Sequence, residues 1–68
     1  MCEATAFLVV GDQEKKIMQD VVLLEPEGDR LLLVDLLGEQ KLVRARVKKA
    51  DFLRHRIILE EMPAEAAG

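Results

Sequence analysis

Cys2 is the residue whose type and place in this chain point most directly to metal chemistry. It is the single cysteine, and it stands beside the amino terminus in the opening Met1-Cys2-Glu3. One short segment thus offers a soft thiolate together with backbone nitrogen. If Met1 is removed, the Cys2 α-amine and thiolate form a five-membered chelate. If Met1 is kept, the Met1 amine, the Cys2 amide nitrogen and the Cys2 sulfur can still converge. A planar set of thiolate and nitrogen donors suits Ni(II) or Cu(II). A symmetric dimer would bring two copies of this end to one axis and supply four donors. The ligands must lose protons first, so affinity should fall at low pH. The plainer alternative is that Cys2 is a small apolar residue opening a strand, in phase with Ala4, Ala6 and Leu8.

The other polar groups offer less. His55 is the only imidazole and sits between Arg54 and Arg56. Alternation groups it with Ile57 and Leu59, at the edge of a core. One histidine without further ligands makes no metal site. Glu3 beside Cys2 reads as an outer-shell or oxygen ligand, or more simply as a solvated residue at a strand start. Asp20 and Asp35 interrupt apolar runs, as bulge or edge positions do. The chain has no Ser and no Tyr, so no nucleophile–base–acid set can be assembled, and no glycine-rich phosphate loop is present. The sequence therefore predicts a protein that is not an enzyme.

Seven of the ten basic residues cluster in the second half: Lys41, Arg44, Arg46, Lys48, Lys49, Arg54 and Arg56. They could form an RNA- or phosphate-binding face, chiefly on a basic strand 41–48. They could equally be a solvated face paired with Glu25, Glu27, Glu39 and Glu60. The chain has two Phe and no Tyr or Trp, which leaves few platforms for stacked bases. Its net charge is −3, whereas nucleic-acid and anionic-membrane binders are usually basic. Both facts favour the solvated face, with neither nucleic acid nor membrane as partner.

The elements that must position these residues are strands. Residues 2–10 end at the turn pair Gly11-Asp12, and residues 15–25 end at Pro26-Glu27-Gly28-Asp29. Residues 30–37 are closed by Gly38-Glu39. They are read as strand and not helix because the run is short and lies between glycines. Residues 40–49 alternate polar and apolar, residues 50–53 form a short connector, and residues 55–61 make a last strand. Turn signals at roughly ten-residue spacing predict an all-β fold, a small five-stranded SH3-like barrel. The interval at Gly38-Glu39 leaves no room for the helix that an OB-fold usually carries there. Residues 1–61 form the single domain, and residues 62–68 read as a flexible tail.

At 68 residues the chain is one small domain, with no disulfide available and half of its residues hydrophobic. That is more apolar surface than one small core hides, which predicts a homodimer. The run 30–37 is apolar on both faces, so Leu31, Leu33, Leu36 or their neighbours are interface candidates. The start lacks the basic region of a signal peptide, and no stretch approaches the length of a membrane-spanning helix. With a free thiol, this predicts a cytoplasmic protein.

The opening Met1-Cys2-Glu3-Ala4, the segment Asp20-Val21-Val22 with Glu25-Pro26-Glu27-Gly28-Asp29, the turn Leu37-Gly38-Glu39-Gln40 and the closing His55-Arg56-Ile57-Ile58-Leu59 together resemble the CooT family of small nickel-binding proteins. The resemblance covers about residues 1 to 61. It implies an SH3-like all-β fold, a homodimer, and Ni(II) bound through Cys2. It also implies service as a nickel chaperone, in some members for carbon monoxide dehydrogenase. Family members are also labelled predicted RNA-binding proteins, a label that rests on barrel analogy. Only Cys2 carries over as a ligand.

Overall fold

The computed structural model of the chain describes residues 3–62. Six strands form: β1 Ala4–Val10, β2 Gln13–Glu27, β3 Arg30–Asp35, β4 Gln40–Val43, β5 Ala45–Asp51 and β6 Arg56–Glu61. They make one sheet in the order β4-β3-β2-β1-β6-β5. The expected small all-β barrel is what forms, with six strands in place of five.

The sixth strand arises because the run read as one strand over 40–49 breaks at Arg44. β4 and β5 then lie at opposite ends of the strand order, although Arg44 alone separates them in the chain. Such a short link can join the two outermost strands only if the sheet curls round on itself. The Met62 N–H donates to the Arg44 carbonyl at 3.1 Å, carrying the β5–β6 pairing back to the break itself.

β2 is the spine of the curl. Its first half pairs with β1 and its second half with β3, both antiparallel. Between the halves the β1 register slips, and Asp20 adopts φ 56. Asp20 thus occupies a bulge, as its polar type within an apolar run suggested. β2 also runs through Pro26 to Glu27, beyond the expected stop. β1 reaches only as far as Val21, so Pro26 has a neighbour on the β3 side alone. A proline without an N–H is tolerated at such an edge. The turn itself shrinks to Gly28-Asp29, with Gly28 at φ 67.

The core lies inside the curl. Ala4 and Ala6 of β1, Val21 of β2, Leu31 and Leu33 of β3, Ala45 of β5, and Ile57 and Leu59 of β6 are buried together. Leu33 and Leu59 are fully buried, and burying such a side chain stabilises by about 1.5–3 kcal/mol. Alanines alternate with these leucines, in the large-and-small filling of small barrels. Leu31 and Leu33 are consequently not interface residues, since their own domain covers them. Leu36, at 55% exposed, remains available. The described residues include no helix long and apolar enough to cross a membrane.

Candidate metal-binding end of the sheet

β1 and β6 pair in parallel, with Thr5 opposite Arg56 and Val9 opposite Glu60. A parallel pair places both strand starts at the same end. The Thr5 N–H donates to the His55 carbonyl at 2.9 Å, locking the start of β1 against the turn that precedes β6. Ala4 is held on its other side by Val21 of β2. The chain therefore enters its sheet between the β2 bulge and the β5–β6 turn. Cys2, the sequence-predicted metal ligand, lies outside the described residues, as does the tail from residue 63 onward. The described chain begins one residue after Cys2, with a half-buried Glu3.

His55 is exposed and belongs to the turn, with φ 57; β6 starts only at Arg56. It is not a strand residue at the core edge, as alternation suggested. The left-handed backbone at His55 breaks the alternation, and histidine is among the residues that tolerate it better than most. Among the described residues no three His, Cys, Asp or Glu side chains converge on a possible metal position.

The basic cluster is divided by the break at Arg44. Lys41 lies on β4 and Arg46, Lys48 and Lys49 on β5, at the two ends of the strand order, so no continuous basic strand 41–48 exists. Most of the cluster has partners within the chain. Arg44 pairs with Asp29 at 3.0 Å, Arg46 with Glu60 at 2.6 Å, and Arg54 with Asp51 at 3.6 Å. Arg56 pairs with Glu14 at 2.6 Å, and Lys41 Nζ donates to the Ile17 carbonyl at 3.2 Å. Of the partners anticipated from sequence, only Glu60 takes that role. Asp29, Asp51 and Glu14 replace the rest because curling the sheet, not sequence spacing, decides which carboxylate comes within reach. Asp35 is also accounted for. Its Oδ1 accepts the N–H groups of Leu37 at 3.0 Å and Glu39 at 2.8 Å, capping the turn at Gly38.

The family model described as "CO dehydrogenase accessory protein CooT" matches residues 1–60, a span that includes Cys2. The chain belongs to the CooT family. Its fold is similar to the crystal structure of a protein provisionally named CooT from Carboxydothermus hydrogenoformans, with a TM-score of 0.86 and 39% identity. That match covers 91% of this chain and 100% of the other. An uncharacterized protein of Archaeoglobus fulgidus is 44% identical over 43 residues, covering 63% of this chain and 96% of that one. An uncharacterized protein of Methanocaldococcus jannaschii is 34% identical over 44 residues, covering 65% and 77%. The resemblance read from the sequence is thus borne out. The family description assigns an accessory role toward carbon monoxide dehydrogenase.

Proposed function

We propose that this chain is a cytoplasmic, non-catalytic nickel carrier that binds Ni(II) through the Cys2 thiolate at a homodimer axis and delivers it to a nickel enzyme such as carbon monoxide dehydrogenase. The observation that carries the reading is the CooT match, which spans residues 1–60 and so includes Cys2. The donor chemistry fits: a thiolate with backbone nitrogen beside it suits Ni(II). One chain offers few such donors, and a two-fold axis doubles them.

The surface supports the dimer. On the outer face of β2, β3 and β4, Leu23 faces Val34 and Leu32 faces Leu42 across neighbouring strands. Leu23 and Leu42 are 44% and 49% exposed, and Val22 and Leu36 also lie open to water. A contiguous apolar face of this kind on so small a domain is what a second copy would cover. A site shared between two copies favours transfer over storage.

The test is nickel titration of the wild-type protein and of Cys2→Ser, read by thiolate-to-metal absorption and by metal stoichiometry. The expected result is one Ni(II) per dimer, with the absorption lost in the variant. Undiminished nickel binding by Cys2→Ser would overturn the reading.

A further inference from the structure

The β5–β6 end of the molecule carries a second feature that metal binding does not use. β5 has a bulge at which Lys48 and Lys49 together oppose the single residue Ile58. Bulges re-aim side chains. Both lysines line a groove of about 250 Å³ that also takes in Ile58, a buried apolar residue outside the core cluster. Arg54 and Arg56 border the same groove, but Asp51 and Glu14 compensate them. Neither lysine has a carboxylate partner among the described residues. The groove therefore holds uncompensated positive charge in a chain whose net charge is −3.

Its rim is a turn that clamps itself. Asp51 Oδ1 accepts the Arg54 N–H at 3.1 Å, and the Arg54 guanidinium returns to Asp51. His55 closes the turn in the left-handed region, a conformation that costs free energy in a residue other than glycine. Between these fixed points Phe52 and Leu53 stand 76% and 90% exposed. Two large apolar side chains are thus held in water directly beside an unneutralised cationic groove. Adjoining apolar and charged surface of this kind marks an interaction site.

We propose that the groove and the turn together form a docking surface for an acidic segment of a partner protein that also carries aliphatic side chains. Its carboxylates would meet Lys48 and Lys49, and its apolar side chains would pack on Phe52 and Leu53. RNA fits less well, because Phe52 is a lone exposed ring and Leu53 gives no stacking platform. An anionic membrane calls for about four to eight clustered basic residues. Here stand two lysines without a carboxylate partner among the described residues. The surface also lies at the end where β1 begins, since Thr5 bonds to His55. Resting on the carrier reading for its purpose, docking there would hold a recipient beside the entry of the chain from Cys2.

The probe is a phage-displayed random peptide library, selected on the full-length protein without nickel. Counter-selection uses the variant Lys48→Glu/Lys49→Glu/Phe52→Ser/Leu53→Ser, whose changes are all at the surface and whose fold is checked by its circular-dichroism melt. The enriched peptides are expected to combine Asp or Glu with Leu or Ile. Each should bind Lys48→Glu/Lys49→Glu about tenfold or more weakly, more so at low salt. Phe52→Ser/Leu53→Ser should weaken them as well, and amide shifts should map to residues 48–58. Failure to enrich any peptide, enrichment of peptides lacking carboxylates, or equal binding by the variants would overturn the proposal. So would tighter binding of oligouridylate or of phosphatidylserine vesicles to the same residues. Cys2→Ser should bind the peptides unchanged, so loss of the nickel reading and loss of the docking surface give different results.

Discussion

The Arg56 guanidinium lies 4.4 Å over the centre of the Phe7 ring, across the parallel seam between β6 and β1. The same guanidinium then donates to Glu14 Oε1 at 2.6 Å. One side chain of β6 therefore crosses β1 and ends on β2, bracing three strands on the face opposite the core. A cation over an aromatic face contributes about 0.5–1 kcal/mol at exposed sites, and an exposed ion pair about as much or less.

Arg56→Ala is accordingly expected to lower stability by about 1 kcal/mol. Arg56→Lys should recover part of that loss, because an ammonium keeps the charge but not the planar stacking. Glu14→Gln should cost less than Arg56→Ala. Urea denaturation followed by circular dichroism measures all three. Equal loss from Arg56→Lys and Arg56→Ala would mean that stacking, not charge, carries the effect.

Leu33 is fully buried, so Leu33→Ala is expected to cost about 2–5 kcal/mol. In a domain of this size that is a large share of the total stability. Leu37, at 85% exposed, serves as the control, and Leu37→Ala should stay within about 0.5 kcal/mol of the parent. Chemical denaturation midpoints for the pair report whether the core lies where β3 places it.

The turn after β3 depends on one carboxylate. Asp35→Ala leaves the N–H groups of Leu37 and Glu39 without their acceptor, at an expected cost of about 1–2 kcal/mol. Gly38 adopts φ 86, and no atom would obstruct an added Cβ there. Gly38→Ala should therefore cost about 1–2 kcal/mol through backbone conformation alone. Thermal melts of the two single variants test this. A Gly38→Ala protein as stable as the parent would show that the turn can be rebuilt without a positive φ.

The apolar outer face of β2 to β4 gives a prediction about assembly. Leu42→Asp places a charge opposite Leu32, on the face assigned to the second copy. If the proposed dimer forms through this face, sedimentation at several concentrations should show a dimer for the parent and a monomer for the variant, with an unchanged circular-dichroism spectrum. Retention of the dimer would move the interface elsewhere.

On the proposed Cys2 site, nickel affinity should fall as the pH is lowered, because a metal held by thiolate and nitrogen donors competes with protons for them. Isothermal titration at several pH values, with proton release read from the buffer dependence, checks the sign. Affinity independent of pH would exclude a thiolate ligand that is protonated when free.

The three glycine turns were legible because their causes are local. Gly11, Gly28 and Gly38 all take positive φ, and each lies in or directly beside a turn signalled by its own dipeptide. The strand character of residues 30–35 was legible for the same reason, although Leu36 and Leu37, read as its end, fall in the turn instead. The family was legible too, since its pattern runs along nearly the whole chain. The faces of β3 were not. Leu31, Leu32, Leu33 and Val34 are all apolar, so alternation could not say which pair is buried, and only curling the sheet seals Leu31 and Leu33 inside. The break at Arg44 was hidden as well, because a strand that leaves one edge of a curled sheet and rejoins at the other keeps its alternation.

The sequence by itself determined the thiol at position 2, the glycine turns and the all-β class, since these depend on residue type and near neighbours. The parallel seam, the pairing of Arg56 with Phe7 and Glu14, and the grouping of Lys48 and Lys49 beside Phe52 and Leu53 were decided only by tertiary structure. Each of these joins residues far apart in the chain or depends on a bulge, and spacing along one strand carries no information about the strand that will lie beside it.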